Sequence, residues 1–246
     1  MAKQQKLFIT GAAGMVGSGL RRHLKDRYDF RLLFHRTIPE TEPDDEIVVS
    51  DVANFENMVE ACDGVDAIAH LGIAITQRGY PRTRYNQMIM ETNIQGTYNV
   101  FEAAHQCSVR RIAYASRGGI LPQSFYPRTL QRTVDMLPKP DSYYTISKVF
   151  GESIAYMYST RFDMEAVSIR IGNFKIDRDQ PEHPHHLSHG DCVRVFEQAI
   201  THPGVEFEVV FGVSDSDWPL YDLDHGREAI GYYPQDRSQV AEEERK

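Results

Sequence analysis

The chain has 246 residues, of which 41% are hydrophobic, and this is enough apolar material for an α/β domain with a buried core. It carries 35 acidic and 27 basic residues, so its formal net charge is −8. That sign is wrong for a protein whose main partner is a polyanion, and it argues against nucleic-acid binding.

Membrane and secretion signals are missing from the sequence pattern. No apolar run is long enough for a transmembrane helix, and the opening "MAKQQKLFIT" lacks the apolar stretch of a signal peptide. The three cysteines, Cys62, Cys107 and Cys192, are far apart and form no C-x-x-C pair. We therefore expect a cytoplasmic protein with no membrane partner.

Short β-branched runs alternate with longer stretches of helical spacing from about residue 6 to residue 213. Strands followed by helices imply right-handed crossovers, so we predict an α/β fold with a Rossmann-type doubly wound parallel sheet. The clearest helices are 86–107 and 142–161, and the predicted strands are 6–10, 30–35, 46–50, 66–71, 111–116, 165–171 and 207–212. We expect one domain over 1–246, with a small C-terminal substrate lobe formed by segments at about 173–205 and 214–236.

The turn between the first strand and the first helix, in "FITGAAGMVGSGL", has glycines at 11, 14 and 17. Their spacing is G-x-x-G-x-x-G, which differs from the simplest fingerprint, G-x-G-x-x-G. At the carboxyl edge of a parallel sheet such a turn aims free N–H groups and the helix dipole at one point, and glycines let a pyrophosphate touch the backbone. We predict a dinucleotide site with contacts from Gly11, Ala13, Gly14, Met15, Val16 and Gly17.

The end of the second strand indicates which dinucleotide is bound. NAD-binding proteins usually place a carboxylate there for the ribose 2′-hydroxyl, whereas a cation accommodates the 2′-phosphate of NADP. Here His35 and Arg36 occupy that place, and the nearest acid, Glu40, lies beyond a proline. We therefore predict NADP as the cofactor, with NAD as the alternative; the competing interpretation of Arg36 is a solvated loop residue.

The stretch "YYTISK" places Tyr144 four residues before Lys148 at the start of a predicted helix. A phenol has a pKa near 10 and is a poor base at neutral pH unless its anion is stabilised. An ammonium group one helical turn away on the same face provides this stabilisation. Such a tyrosine can exchange a proton with a substrate oxygen while hydride passes between the same carbon and the cofactor.

Several motifs together give the chain a family resemblance: "TGAAGMVG", "HLG" at 70–72, "ETNIQGTYNVFEAA" at 91–104, "YYTISK" and "SIRIGN" at 168–173. The chain resembles the extended short-chain dehydrogenase/reductase superfamily, the NAD(P)-dependent epimerase/dehydratase group, and within it the uronate dehydrogenase-like branch. The resemblance implies an acid/base role for Tyr144 and a nicotinamide-ribose contact for Lys148. It also implies cofactor contacts from Asp51, Val52, Leu71, Gly72, Asn93 and Ile171.

The chain departs from the family pattern after the fifth strand. The family normally has a serine or threonine there to hold the reacting oxygen, and in "ASRGGILPQS" only Ser116 is in that turn, one residue early. We name Ser116 as the third catalytic residue, and Arg117 and Asn173 as substrate-binding residues. In the competing interpretation, Ser116 merely caps the strand and Arg117 binds an anionic substrate group.

The predicted function is that of an NAD(P)-dependent oxidoreductase acting on a small polar carbonyl or alcohol such as a sugar or sugar acid. The alternatives are a sugar or nucleotide-sugar epimerase, in which hydride leaves and returns, and a non-catalytic NADP-binding sensor. No metal is expected, because the histidine-rich "EHPHHLSHGDC" has no rigid element to fix a coordination geometry. In the resembling superfamily the two long helices pair with symmetry mates, so we predict a homodimer or higher homo-oligomer, with Ile154, Met157 and Tyr158 as a candidate apolar stripe.

Overall fold

A computed structural model describes residues 5–74 and 79–245, and its centre is a parallel sheet of seven strands in the order β3-β2-β1-β4-β5-β6-β7. The chain moves outward from β1 to one edge and then returns past β1 to the other, so the predicted doubly wound Rossmann-type topology is confirmed. The strands are β1 Gln5–Thr10, β2 Tyr28–Phe34, β3 Glu46–Val49, β4 Ala67–His70, β5 Arg111–Arg117, β6 Glu165–Ile171 and β7 Phe207–Gly212.

Helices cover both faces of the sheet. The helices of the two layers are α1 Met15–Leu24, α2 Phe55–Cys62, α4 Gly96–Gln106, α5 Tyr143–Phe162 and α6 His189–Thr201. Alternate strand residues point into two separate cores: Leu7 and Ile9 pack with α1 and α6, whereas Phe8 packs with α2, α4 and α5. This division follows from the period-2 alternation of side chains along a strand.

The predicted helix at 86–107 is longer than expected and is built in three parts. A first segment, α3, runs over Arg82–Met88, a π-helical segment covers Ile89–Gln95, and α4 continues from Gly96. Wider π-helical turns inside longer helices are rare and are often found at functional sites. The periodicity of the sequence indicates a helix but does not reveal the change in winding.

The C-terminal part contains a short two-stranded pair and one more helix. The pair is β8 Asp215–Ser216 with β9 Arg237–Ser238, and α7 Asp224–Ile230 packs on β7. Within the predicted lobe segment 173–205, helix α6 packs against α1 and the sheet. The division into one domain and a small lobe stays a prediction.

The structure bears on the predicted apolar stripe of α5 and on membrane-spanning helices. Ile154 and Tyr158 of the predicted apolar stripe lie on the face of α5 that packs into the core, so the stripe packs inside the chain. No helix within the described ranges combines the length and apolar composition needed to cross a membrane.

Candidate functional site

The glycine-rich turn joins β1 to α1 at the carboxyl edge of the sheet, as predicted. Gly11 has a φ of +67°, and a Cβ there would lie 2.9 Å from the backbone nitrogen of Gly72. A Cβ on Gly17 would lie 2.6 Å from the carbonyl oxygen of Gly11. Side chains at these positions would therefore break either the turn or its contact with the loop after β4.

The turn fits a dinucleotide pyrophosphate. Ala13 and Met15 are exposed, Gly14 caps α1, and no side chain caps the first turn of that helix. The N–H groups at the start of α1 are thus available to an anion, and the helix dipole favours one. The structure places Val16 on the same turn, and Leu71 and Gly72 on the loop facing it.

The residues predicted to select the dinucleotide lie together at the end of β2. His35 and Arg36 are both exposed, and Nε2 of His35 lies 3.4 Å from a carboxylate oxygen of Asp51. Asp51 also accepts a hydrogen bond from the backbone N–H of Ala53, and the Val52 carbonyl accepts one from Asn99. A carboxylate is therefore close to the end of β2, although it comes from the segment after β3.

A buried hydrogen-bond chain ties β1, β4 and α4 together behind the glycine turn. Thr10 Oγ1 accepts bonds from the N–H groups of Leu71 and Gly72 and lies 2.7 Å from Nδ1 of His70. Nε2 of His70 lies 3.0 Å from Oγ1 of Thr97. Burial, with Lys148 nearby, lowers the pKa of His70 to about 3, so this imidazole is neutral and structural.

Asn93 links the loop after β4 to helix α5. It is buried in the π-helical segment, where its Oδ1 accepts a bond of 2.7 Å from the N–H of Ala74. Its Nδ2 donates to Oγ of Ser147 over 3.0 Å, and Ser147 in turn donates to the carbonyl of Tyr144. Asn93, a predicted cofactor contact, is thus linked to the backbone of Tyr144 through the hydroxyl of Ser147.

Tyr144 lies in the first turn of α5, and a capping box fixes where that helix begins. Ser142 accepts a bond from the N–H of Thr145, and Thr145 accepts one from the N–H of Ser142. Burial raises the pKa of the Tyr144 phenol, and the charge of Arg117 opposes this shift. The phenol therefore depends on neighbouring cations to reach its anionic form.

Lys148 lies one turn further along α5 and is almost fully buried. Its Nζ donates 2.7 Å to the carbonyl of Ala115 in β5 and lies 5.7 Å from the centroid of the Tyr144 ring. Burial, together with repulsion from Arg117, lowers the pKa of this ammonium group to about 7. The structure thus brings Tyr144 and Lys148 together as the sequence predicts.

Arg117 ends β5 and is exposed, and its Cζ lies 5.3 Å from the centroid of the Tyr144 ring. In the sheet register it is opposite Ile171, the last residue of β6 and a predicted cofactor contact. A guanidinium group over an aromatic face makes a favourable cation–π contact.

Ser116 has the opposite orientation because successive strand residues face opposite sides of a sheet. Its Oγ donates 2.5 Å to Glu152, and Glu152 also holds the buried Arg170 through two bonds of 2.9 and 3.0 Å. A catalytic role for Ser116 would require its hydroxyl to leave Glu152.

The remaining predicted residue, Asn173, lies in the loop after β6. Its side chain is exposed, and its backbone pairs with the segment around His186. Arg178 donates 2.6 Å to the Asn173 carbonyl. Across the described ranges, no cluster of three His, Cys, Asp or Glu side chains has an arrangement that would hold a metal ion.

Sequence reasoning did not identify the groups that hold the site from behind. Glu152 is four residues after Lys148 and so shares its helix face, and this spacing was an available signal. Arg170 lies within the quoted "SIRIGN". No local signal places Tyr85 and Tyr221 near Arg117, although the charge of Arg117 lowers the pKa of both phenols against the larger effect of burial.

Several known proteins are similar to this chain over nearly its whole length. An NAD-dependent glucose-6-phosphate dehydrogenase from Haloferax volcanii is 33% identical, with 95% of this chain and 94% of that protein covered. A uronate dehydrogenase from Pseudomonas putida is 33% identical, with 96% and 85% covered. The solved structure of a mutant uronate dehydrogenase from Agrobacterium tumefaciens complexed with NAD is 29% identical, has a TM-score of 0.84, and covers 96% of this chain and 86% of its own.

Residues 7–195, which include the glycine turn and both Tyr144 and Lys148, match the family described as "NAD dependent epimerase/dehydratase family". The match spans the sheet from β1 to β6 and the helices that carry the candidate site. The chain belongs to the NAD dependent epimerase/dehydratase family.

Proposed function

We propose that the protein is an NAD(P)-dependent dehydrogenase acting on the alcohol or carbonyl group of a small polar substrate such as a sugar or sugar acid. One observation carries this proposal: Tyr144 and Lys148 lie on the first turns of α5, beside the end of β5, at the same sheet edge as the glycine turn. This edge is where open α/β sheets bind ligands.

The side chains have separate roles in this proposal. Tyr144 accepts the proton of a substrate alcohol or returns it to a carbonyl oxygen, Lys148 orients the nicotinamide ribose, and Asn93 positions α5 through Ser147. The bound dinucleotide supplies the hydride acceptor or donor. Cofactor contacts come from the glycine turn and from Asp51, Val52, Leu71, Gly72 and Ile171, whereas Arg117 and Asn173 face the substrate.

An anionic sugar is the favoured substrate class. Arg117 is exposed at the predicted site, and a guanidinium recognises carboxylates and phosphates through paired hydrogen bonds. Two relatives support this choice, since one is described as a glucose-6-phosphate dehydrogenase and the other as a uronate dehydrogenase.

The experiment is an assay of reduced nicotinamide absorbance with glucuronate, glucose 6-phosphate and arabinose, using wild type and Tyr144→Phe. We expect wild type to reduce the cofactor and Tyr144→Phe to lose about 10²- to 10⁴-fold in turnover, with cofactor affinity within a few-fold. Product without net cofactor change would identify the epimerase alternative. Cofactor binding without turnover of any substrate would identify the sensor.

We further propose that NADP is the preferred dinucleotide. Arg36 is exposed beyond β2 and has no hydrogen bond or ion pair to any described residue. Replacement by aspartate repels a 2′-phosphate and can accept a bond from a 2′-hydroxyl, so Arg36→Asp should weaken NADP far more than NAD. A wild type that already prefers NAD would overturn this choice, and Asp51 would then be the acid that contacts the ribose.

The proposal includes a cytoplasmic homodimer. The three described cysteines are unpaired, which suits a reducing compartment. Tyr98 on α4 and Ile146 on α5 are exposed apolar side chains on the two helices expected to pair. We also retain the substrate lobe as a proposal, formed by the loop from Asn173 to α6 together with the segment that carries β8 and α7.

A further inference from the structure

The residue after Ser116 occupies an unusual position for a large cation. Arg117 is the last residue of β5, and its guanidinium carbon lies 5.3 Å from the centre of the Tyr144 ring. Its interactions with described residues include no carboxylate partner. Arg117 thus lies beside the proposed acid/base without a described carboxylate to pair with its guanidinium.

The hydroxyl of Ser116 is engaged elsewhere. Ser116 is buried and donates to Glu152, which is itself paired with Arg170. The Arg170 guanidinium also donates 2.8 Å to the carbonyl of Val134, so several elements hold this cluster in place. Freeing the hydroxyl would take one hydrogen bond from a buried carboxylate, which is unfavourable.

Lys148 is the second cation near Tyr144, and its Nζ lies 5.7 Å from the centroid of the Tyr144 ring. Its Nζ donates 2.7 Å to the carbonyl of Ala115, and burial lowers the pKa of this ammonium group to about 7. Among the neighbours that shift the pKa of Tyr144, Arg117 lowers it by its charge, whereas the Tyr85 phenol raises it. Arginine keeps its proton at any pH at which the protein is folded.

We propose that Arg117 is a catalytic residue: its guanidinium stabilises the Tyr144 oxyanion and donates an N–H to the reacting oxygen of the substrate. This inference rests on the proposed dehydrogenase function. In the oxidation direction, the substrate O–H proton passes to the Tyr144 oxygen while the hydride on the same carbon passes to the nicotinamide. The alcohol is thereby oxidised to a carbonyl, the nicotinamide is reduced, and Arg117 remains protonated throughout.

The groups that face Arg117 come from three parts of the fold. They are Tyr144 and Lys148 on α5, Tyr85 on α3, and Tyr221 in the segment before α7. Gly119 gives the guanidinium its place, since a Cβ there would lie 2.4 Å from Nε of Arg117. The position of the guanidinium can therefore be changed without changing its chemistry.

The test compares Arg117→Gln, Arg117→Lys and Gly119→Ala. The first readout is the ionisation of Tyr144 without substrate, taken from the ultraviolet difference between each protein and its Tyr144→Phe partner. We expect Arg117→Gln to raise the Tyr144 midpoint by about one pH unit, because one nearby charge is removed, and Arg117→Lys to leave it nearly unchanged. Gly119→Ala should give an intermediate shift.

The second readout is the pH profile of kcat. We expect Arg117→Gln to lose about 10²- to 10³-fold in kcat at pH 7, as for loss of one preorganised donor, with its pH profile displaced upward. An unshifted Tyr144 ionisation would overturn the inference, as would a loss confined to KM for acidic sugars, which marks simple anion binding. A shifted ionisation in a wild type that turns over no substrate would instead contradict the dehydrogenase proposal.

Discussion

Buried charge at the residue scale explains why two neighbouring residues of β5 have different roles. Glu152 and Arg170 form an ion pair with almost no exposure to solvent, and such pairs are stable only when their remaining hydrogen-bonding positions are filled. Ser116 fills one of these positions on Glu152, and the Val134 carbonyl fills one on Arg170. The serine therefore completes a structural cluster, whereas the next residue reaches the site.

This geometry predicts a small catalytic effect for Ser116→Ala. We expect turnover within a few-fold of wild type, together with a loss of about 1.5–3 kcal/mol in unfolding free energy, the range for a hydrogen bond to a charged group. Steady-state kinetics and urea unfolding measure the two quantities. Ser153→Ala is the control, because that hydroxyl is exposed and donates only within α5. A 10²- to 10³-fold loss of turnover would restore Ser116 as the oxygen-binding donor.

Lys148 makes stability depend on pH in a direction that can be worked out. Its pKa is about 7 in the folded protein and 10.5 ordinarily. Between those values the unfolded chain holds a proton that the folded chain lacks, so unfolding takes up a proton and stability rises with pH. The charged form of Lys148 therefore costs stability below about pH 7, and this cost disappears as the pH increases.

We expect the unfolding free energy of wild type, relative to Lys148→Met, to rise between pH 7 and about pH 9. The slope has a ceiling of about 1.4 kcal/mol per pH unit. Urea unfolding of the cofactor-free proteins at several pH values measures it, and the comparison cancels the titration of the buried thiols, which also differ between the folded and unfolded states. Lys175→Met, at an exposed position, is the control. Parallel pH dependences would show that Lys148 keeps its ordinary pKa in the fold.

At the scale of elements, three parts of the fold together position the site: the carboxyl end of β5, the first turn of α5 and the π-helical segment. The capping box at Ser142 sets where α5 begins, and thereby the height of Tyr144 above the sheet. The π-helical segment places Asn93 between the loop after β4 and Ser147. A shift of α5 by one residue would move Tyr144 away from Arg117 at the end of β5.

Asn93→Ala tests this connection. The substitution leaves the buried N–H of Ala74 without its acceptor, so we expect a loss of about 1–3 kcal/mol in unfolding free energy. Turnover should fall as well, because the Ser147 hydroxyl, which donates to the Tyr144 carbonyl, loses the amide that fixes its position. Gln95→Ala is the matched control, since Gln95 lies in the same π-helical segment and its side chain donates only to Asn99. Equal effects of the two substitutions would show that Asn93 has no special role in positioning α5.

At the scale of the whole molecule, the topology of the sheet brings distant residues to one edge. The strand order places β1, β4, β5 and β6 side by side, so residues from positions 10 to 173 meet where these strands end. The sequence predicts an NAD(P)-dependent dehydrogenase. This enzyme class is confirmed by dehydrogenases that are similar to the chain over nearly its full length.

The homodimer is a prediction at this same scale. We expect light scattering at micromolar concentration to give twice the monomer mass of 28.2 kDa. A charge at Tyr98, which is 42% exposed on α4, should weaken the assembly if α4 and α5 pair across a symmetry axis. Tyr233→Glu is the control, because Tyr233 is 59% exposed outside these helices. A monomer mass for wild type would reject the dimer.

The local sequence determined the strands and helices and the kinds of side chain that the candidate site contains. Strand periodicity, the three glycines and the four-residue spacing of Tyr144 and Lys148 are properties of neighbouring residues, and each was readable without a fold. Family resemblance added Asn93 and the residues around the adenine and the nicotinamide.

Only the tertiary structure decided which way each side chain points. Ser116 and Arg117 are adjacent in sequence, and the facing of β5 sends one to the Glu152–Arg170 pair and the other to Tyr144. The apolar stripe on α5 is likewise buried because β-strand and helix neighbours cover it. Orientation relative to other elements depends on strand register and helix packing over long sequence separations, and no local pattern in the chain contains that information.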